Sequence, residues 1–187
     1  HSLLAVGLFA VGIPHGALDA ITGITWGGRS TTAFYARYLS IMAVTLAVWC
    51  WAPTFGVTAF IAASVWHFGQ TDVAAWNVSR HQPLVAIAWG ALTLGFVLGF
   101  HLEEVGQILL PIGVNEQALR QLVHHHHALT TALWAGAGVA GLATLVARKG
   151  YLLAALAALA LTTQMPLLWA FSSYFIFHHS LHGWNHL

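Results

Sequence analysis

The chain of 187 residues is 58% hydrophobic and only 6% charged, against roughly 25% charged residues in an ordinary soluble domain. Five acidic and six basic side chains are too few to cover a 20.1 kDa body in water, and they fall in short stretches between long apolar runs, the pattern of membrane spans and loops. A net charge of +1 with no basic block excludes a nucleic-acid surface, and a single cysteine, Cys50, excludes an intrachain disulfide or a thiolate metal cage.

At about 20 residues per crossing, the apolar runs predict spans at 2–25, 33–52, 54–76, 82–101, 128–147, 150–165 and 167–187. The first run opens at His1 without a basic n-region or cleavage site, so it reads as a span and not a signal peptide. Breaks are expected at Gly27-Gly28, Pro53, the Asn77 to Pro83 stretch, Arg148-Lys149-Gly150 and Pro166. Pro14 lies inside the first span and should kink it one residue before His15. Residues 102–127 hold Glu103, Glu104, Glu116 and Arg120, too polar to cross but amphipathic enough to lie on the membrane surface. The expected fold class is all-α, a polytopic transmembrane bundle of about seven helices forming one domain over 1–187.

Charge orients the bundle. The first, third and fifth loops carry Arg29, Arg80, Arg148 and Lys149, with Arg37 just inside the second span, whereas the second and sixth loops carry no charge. The positive-inside rule then puts the odd loops and the C-terminus in the cytoplasm and the N-terminus outside, in the cell's inner (plasma) membrane. Trp26, Trp51, Trp76, Trp169 and Trp184 fall near span ends, where indoles prefer to sit.

The thirteen histidines are not one population. His101, the run His124 to His127, His81 and His186 fall at predicted interfaces, where an imidazole costs little. His15, His67, His178, His179 and His182 fall inside spans, where an unpaired polar group is expensive and marks function by default. His15 precedes Trp26 by eleven residues and His67 precedes Trp76 by nine, which places both roughly 15 Å above the cytoplasmic ends of their helices. His178 and His182 are four apart and share a face, whereas His179 points about 100° away. His15, His67, His178 and His182 thus form a four-imidazole set, suited to iron, zinc, copper or nickel. The bland alternative is hydrogen bonding between helices by neutral histidines.

Asp19 follows His15 by four and Asp72 follows His67 by five, so each carboxylate can support its own histidine as an outer acceptor. Anchoring a helix near the interface is an equal alternative for Asp72. Gly16, Gly69 and Gly183 beside these histidines permit close backbone approach. Gly95 to Gly99 and the alanine-rich 154–160 stretch suggest close helix packing without chemistry.

The segments GIPHGALD at 12–19, WHFGQTD at 66–72 and FHHSLHGW at 177–184 resemble the Brp/Blh family, bacteriorhodopsin-related membrane proteins that include beta-carotene 15,15'-dioxygenases. The resemblance spans nearly the whole chain, with its motifs on three separate spans. It implies an all-helical membrane enzyme that holds iron(II) through four histidines and splits a lipid-dissolved beta-carotene with O2 into two retinal molecules. A functional link to a retinal-binding opsin is implied in the same way. By motif position the ligands are His15, His67, His178 and His182, with His179 the alternative to His178 because aligning Ser180 with the family's His-Ser makes His179 the first ligand. Trp66, Phe68, Tyr174 and Phe175 are candidate linings of a cleft open to lipid. Competing functions are a di-iron membrane desaturase or hydroxylase, a bis-histidine haem carrier, and a transporter using protonatable His and Asp.

Overall fold

A computed structural model describes residues 31–74, 76, 81–146 and 150–180. Among the described residues the chain is helical and holds no strand. Helix α1 spans Thr31–Trp51, α2 Pro53–Ala74, and α3 Gln82–Leu94, which continues as a π-helical segment over Gly95–Gly99. Two short helices follow, α4 at Leu102–Leu109 and α5 at Glu116–His124. The remainder comprises α6 at His126–Val146, α7 at Gly150–Thr162 and α8 at Leu167–Ser173, the last continuing as π-helix over Tyr174–Ser180.

Six of the expected spans therefore coincide with helices over their described residues, the last as far as Ser180, and the first, 2–25, lies outside the described residues. Among the described residues three helical stretches are long and apolar enough to cross a membrane: Thr31–Trp51, Gln82–Gly99 and His126–Val146. The 22 residues of α2 are long enough as well, but His67, Gln70, Thr71 and Asp72 lower its hydropathy. The least apolar long helix is thus the one carrying candidate site residues. No residue of α1 is buried, and Val44, Leu46, Val139 and Leu142 are each more than 60% exposed. Apolar surface of that extent fits contact with lipid tails better than contact with water. Residues 102–127 form no span; α4 and α5 are short, amphipathic and joined by a turn at Gly113, whose φ of 87° suits glycine.

Backbone contact sets the α2–α3 pair. A Cβ on Gly69 would lie 1.8 Å from the Ala86 carbonyl oxygen, and one on Gly90 would lie 1.9 Å from that of Val65. Only hydrogen at both positions lets the helices approach this closely. The π segment at 95–99 then sits at the centre, touching α4, α6, α7 and α8, with Phe96 and Val97 almost completely buried.

The same π segment steers the polar groups around it. His101 N–H bonds the Leu98 carbonyl at 3.1 Å, and the Val97 carbonyl faces His101 Nδ1 at 2.8 Å. His101 Nε2 lies 2.6 Å from the Met165 carbonyl, so one imidazole ties the end of α3's π extension to the turn before α8. The side chain of His101 is buried between two helix ends, a packing role that its place at an expected span edge does not show. Glu104 completes the clamp by accepting the Leu167 N–H at 3.0 Å, capping α8 from 63 residues away.

Candidate functional site

Asp72 is 0% exposed. A carboxylate in an apolar interior is costly unless donors surround it, and two other elements bring side chains to it here. Trp89 of α3 donates its indole N–H to Asp72 Oδ2 at 2.9 Å. Tyr174, on the π extension of α8, donates its hydroxyl to the same oxygen at 3.1 Å. His178, four residues further along that extension, brings Nε2 to 3.3 Å from it. One carboxylate oxygen therefore joins α2, α3 and the 174–180 segment.

Local backbone and ring packing hold this arrangement. The π winding over 174–180 leaves Tyr174 and His178 on one side of the segment, their rings 5.7 Å apart. Trp89 is wedged between Trp76, edge-on at 4.8 Å, and His178 at 6.2 Å. Phe68 of α2 meets Tyr174 edge-on at 5.8 Å. π segments are uncommon and recur at functional sites; here one carries both Tyr174 and His178.

The structure thus brings Asp72, Tyr174 and His178 together, and the partners around Asp72 come from other helices, whereas spacing along α2 suggests its own His67. Its Oδ2 serves side chains from outside α2, His178 among them. His67 is exposed on α2, one position before Phe68, with its ring 5.6 Å from that of Phe68. Trp66 is exposed, and Phe175 stacks on Phe171 at 5.9 Å. His15, Asp19 and His182 lie outside the described residues, as does the side chain of His179. Among the described residues, no three His, Cys, Asp or Glu side chains form a group able to hold a metal ion.

Trp89 is not visible as a site residue in sequence, since an indole in a span reads as lipid-facing. Tyr174 leaves one signal, its four-residue spacing to His178. A proton on His178 Nε2, facing Asp72, leaves the lone pair on Nδ1. That is how a carboxylate orients a metal-binding imidazole. The chemistry at His178, an imidazole beside a buried carboxylate, is of the kind that can serve a metal held by nitrogen.

The fold and this cluster define a helical bundle of membrane-spanning character whose polar residues converge in its interior. The sequence model of the family described as beta-carotene 15,15'-dioxygenase matches residues 6–186, and the chain belongs to that family. No curated protein and no solved structure matches the chain.

Proposed function

We propose that this chain is a membrane-embedded non-haem iron dioxygenase that cleaves beta-carotene at its central double bond, yielding two retinal molecules. Family membership supports the substrate and reaction class. The observation that carries the residue assignment is the buried Asp72 aimed at His178 from the same helix that bears His67.

His15, His67, His178 and His182 are the proposed iron ligands, with His179 the alternative to His178 and Asp19 the counterpart of Asp72. Iron(II), when bound, supplies the one-electron chemistry that lets dioxygen react with a polyene. The chain's own residues do the rest. Asp72 fixes the ring of His178, and Trp89 and Tyr174 fix Asp72, so the imidazole is oriented before any ligand arrives. Apolar walls exclude water and select a lipid-dissolved substrate. Both atoms of O2 finish as the two aldehyde oxygens, so the reaction needs no external reductant. The enzyme sits in the plasma membrane with its N-terminus outside and its C-terminus in the cytoplasm, as the loop charges direct.

Expression in a carotene-accumulating bacterium tests the function. Orange cells should bleach and yield retinal, whereas His67→Ala cells should stay orange; purified wild-type protein should retain about one iron per chain. Bleaching that persists when all four histidines are replaced would overturn the assignment. So would iron-loaded protein that hydroxylates or desaturates a lipid and leaves carotene intact.

A further inference from the structure

Two apolar grooves flank the Asp72 cluster. The first, about 570 Å³, runs between α7 and the 173–178 stretch and is lined by Ala154, Ala155 and Ala158 on one side and Tyr174 and His178 on the other. The second, about 620 Å³, runs between α3 and α6 and is lined by Ala88, Trp89, Val139, Ala140 and Ala143. Trp76 and Leu152 belong to both. Among the described residues no Asp, Glu, Lys or Arg lines either groove, and exposed Ala158 and Ala143 bring each to the outer surface of the bundle. Their sizes are within about 10% of each other and each is within the range of small-molecule sites. The polar cluster sits at their junction: Trp89 faces the second groove while hydrogen bonded to Asp72, and Tyr174 and His178, on the same carboxylate oxygen, face the first.

We infer that the two grooves are the two arms of one binding site, each taking one half of a symmetrical polyene whose central bond lies at the Trp76, Trp89 and His178 junction. The inference rests on the proposed function for its occupant. The geometry adds where each half goes: two apolar grooves that meet at Trp76 and Leu152 beside the Asp72 cluster offer one arm to each half, whereas a site with one long arm would direct an off-centre cut. The alanines at 154, 155 and 158 then have a role beyond helix packing, since larger side chains would fill the first arm.

Binding to metal-free protein tests this without relying on turnover. Trp76 and Trp89 line the arms, so a bound polyene should quench indole fluorescence. Ala158→Phe and Ala143→Phe alter exposed positions and should leave the thermal melt unchanged. Each alone should weaken beta-carotene binding roughly tenfold or more, because an overfilled site loses on the order of 1–3 kcal/mol. Retinal, half the length, should bind either single variant within about twofold of wild type, since one arm stays open, and should be lost only in the double variant. Beta-carotene binding unchanged in either single variant, or retinal lost in one of them, would overturn the two-arm site. Wild-type protein that shows this pattern but never cleaves carotene leaves the two arms standing and removes the dioxygenase function; cleavage by wild type with insensitive variants does the reverse.

Discussion

At the scale of single residues, the strongest constraint is the pairing of a fully buried Asp72 with Trp89, Tyr174 and His178. Removing the carboxylate leaves several buried donors without an acceptor, so Asp72→Ala should destabilise the protein by about 3 kcal/mol. Asp72→Asn keeps the volume and one acceptor oxygen and should cost less. By the carboxylate's effect on a metal-binding imidazole, however, it should still lower iron affinity roughly 10- to 100-fold. Iron retained against a graded chelator measures this, and wild-type retention by Asp72→Asn would detach the carboxylate from the metal. His101 is the contrasting case. It joins the Val97 and Met165 carbonyls at 2.8 and 2.6 Å, so His101→Ala should cost about 1–2 kcal/mol of stability while leaving iron affinity unchanged. A chelator titration that moves with His101→Ala would place it in the site.

At the scale of elements, the α2–α3 crossing decides whether the cluster assembles, because Asp72 and Trp89 come from these two helices. Cβ atoms on Gly69 or Gly90 would meet backbone at 1.8 and 1.9 Å, and backbone cannot rotate aside as a side chain can. Gly69→Ala and Gly90→Ala should each destabilise by at least about 1–3 kcal/mol. Gly138 lies in α6, and a Cβ added there would meet nothing within 4 Å, so Gly138→Ala should be neutral or gain up to about 1 kcal/mol from helix propensity. Unfolding midpoints in mild detergent give the comparison. Equal midpoints for Gly69→Ala and Gly138→Ala would mean that the two helices do not touch through their backbones. Sequence pattern locates these elements well, since Pro53 and Pro166 break the chain where α1 gives way to α2 and where α8 begins. It does not show the π winding at 95–99 and 174–180, because hydropathy is blind to an i→i+5 bond. Asp72 is legible as a buried acceptor in need of partners, but its actual donors depend on which helices become neighbours, and spacing along one helix suggests His67 instead. His101 misleads for a related reason: its place at a span edge hides the turn before α8 that folds over it.

At the scale of the whole molecule, the chemistry and the orientation are linked, since a site at one depth needs helices that enter from known sides. The odd loops hold Arg29, Arg80, Arg148 and Lys149, whereas the 102–127 segment holds three Glu and one Arg, of which Glu116 and Arg120 pair with each other on the exposed face of α5. Glu104 is occupied in capping α8, so it adds little to the outward-facing charge. Acidic residues contribute little to orientation in any case, and the bias rests on Arg and Lys in the short loops. Topology reporters fused after residues 80, 115 and 149 should therefore place 80 and 149 in the cytoplasm and 115 outside. The 115 junction follows the Gly113 turn, and there Asn115 caps α5 by accepting the Ala118 N–H and reaches Thr54 through its own N–H at 2.9 Å. That last bond ties the segment to the start of α2 at Pro53, whereas the chain leaves for Arg80 from the other end of that helix, after Ala74. A reporter at 115 found on the same side as that at 149 would contradict both the loop charges and this contact, and with them the seven-span count. Reversing the bias offers a sharper version: Arg148→Glu with Lys149→Glu should weaken the preference and produce a mixed population, whereas Glu103→Lys, on the opposite side, should oppose the existing orientation. Unchanged reporter patterns in both variants would show that orientation is decided elsewhere in the chain than in these loops.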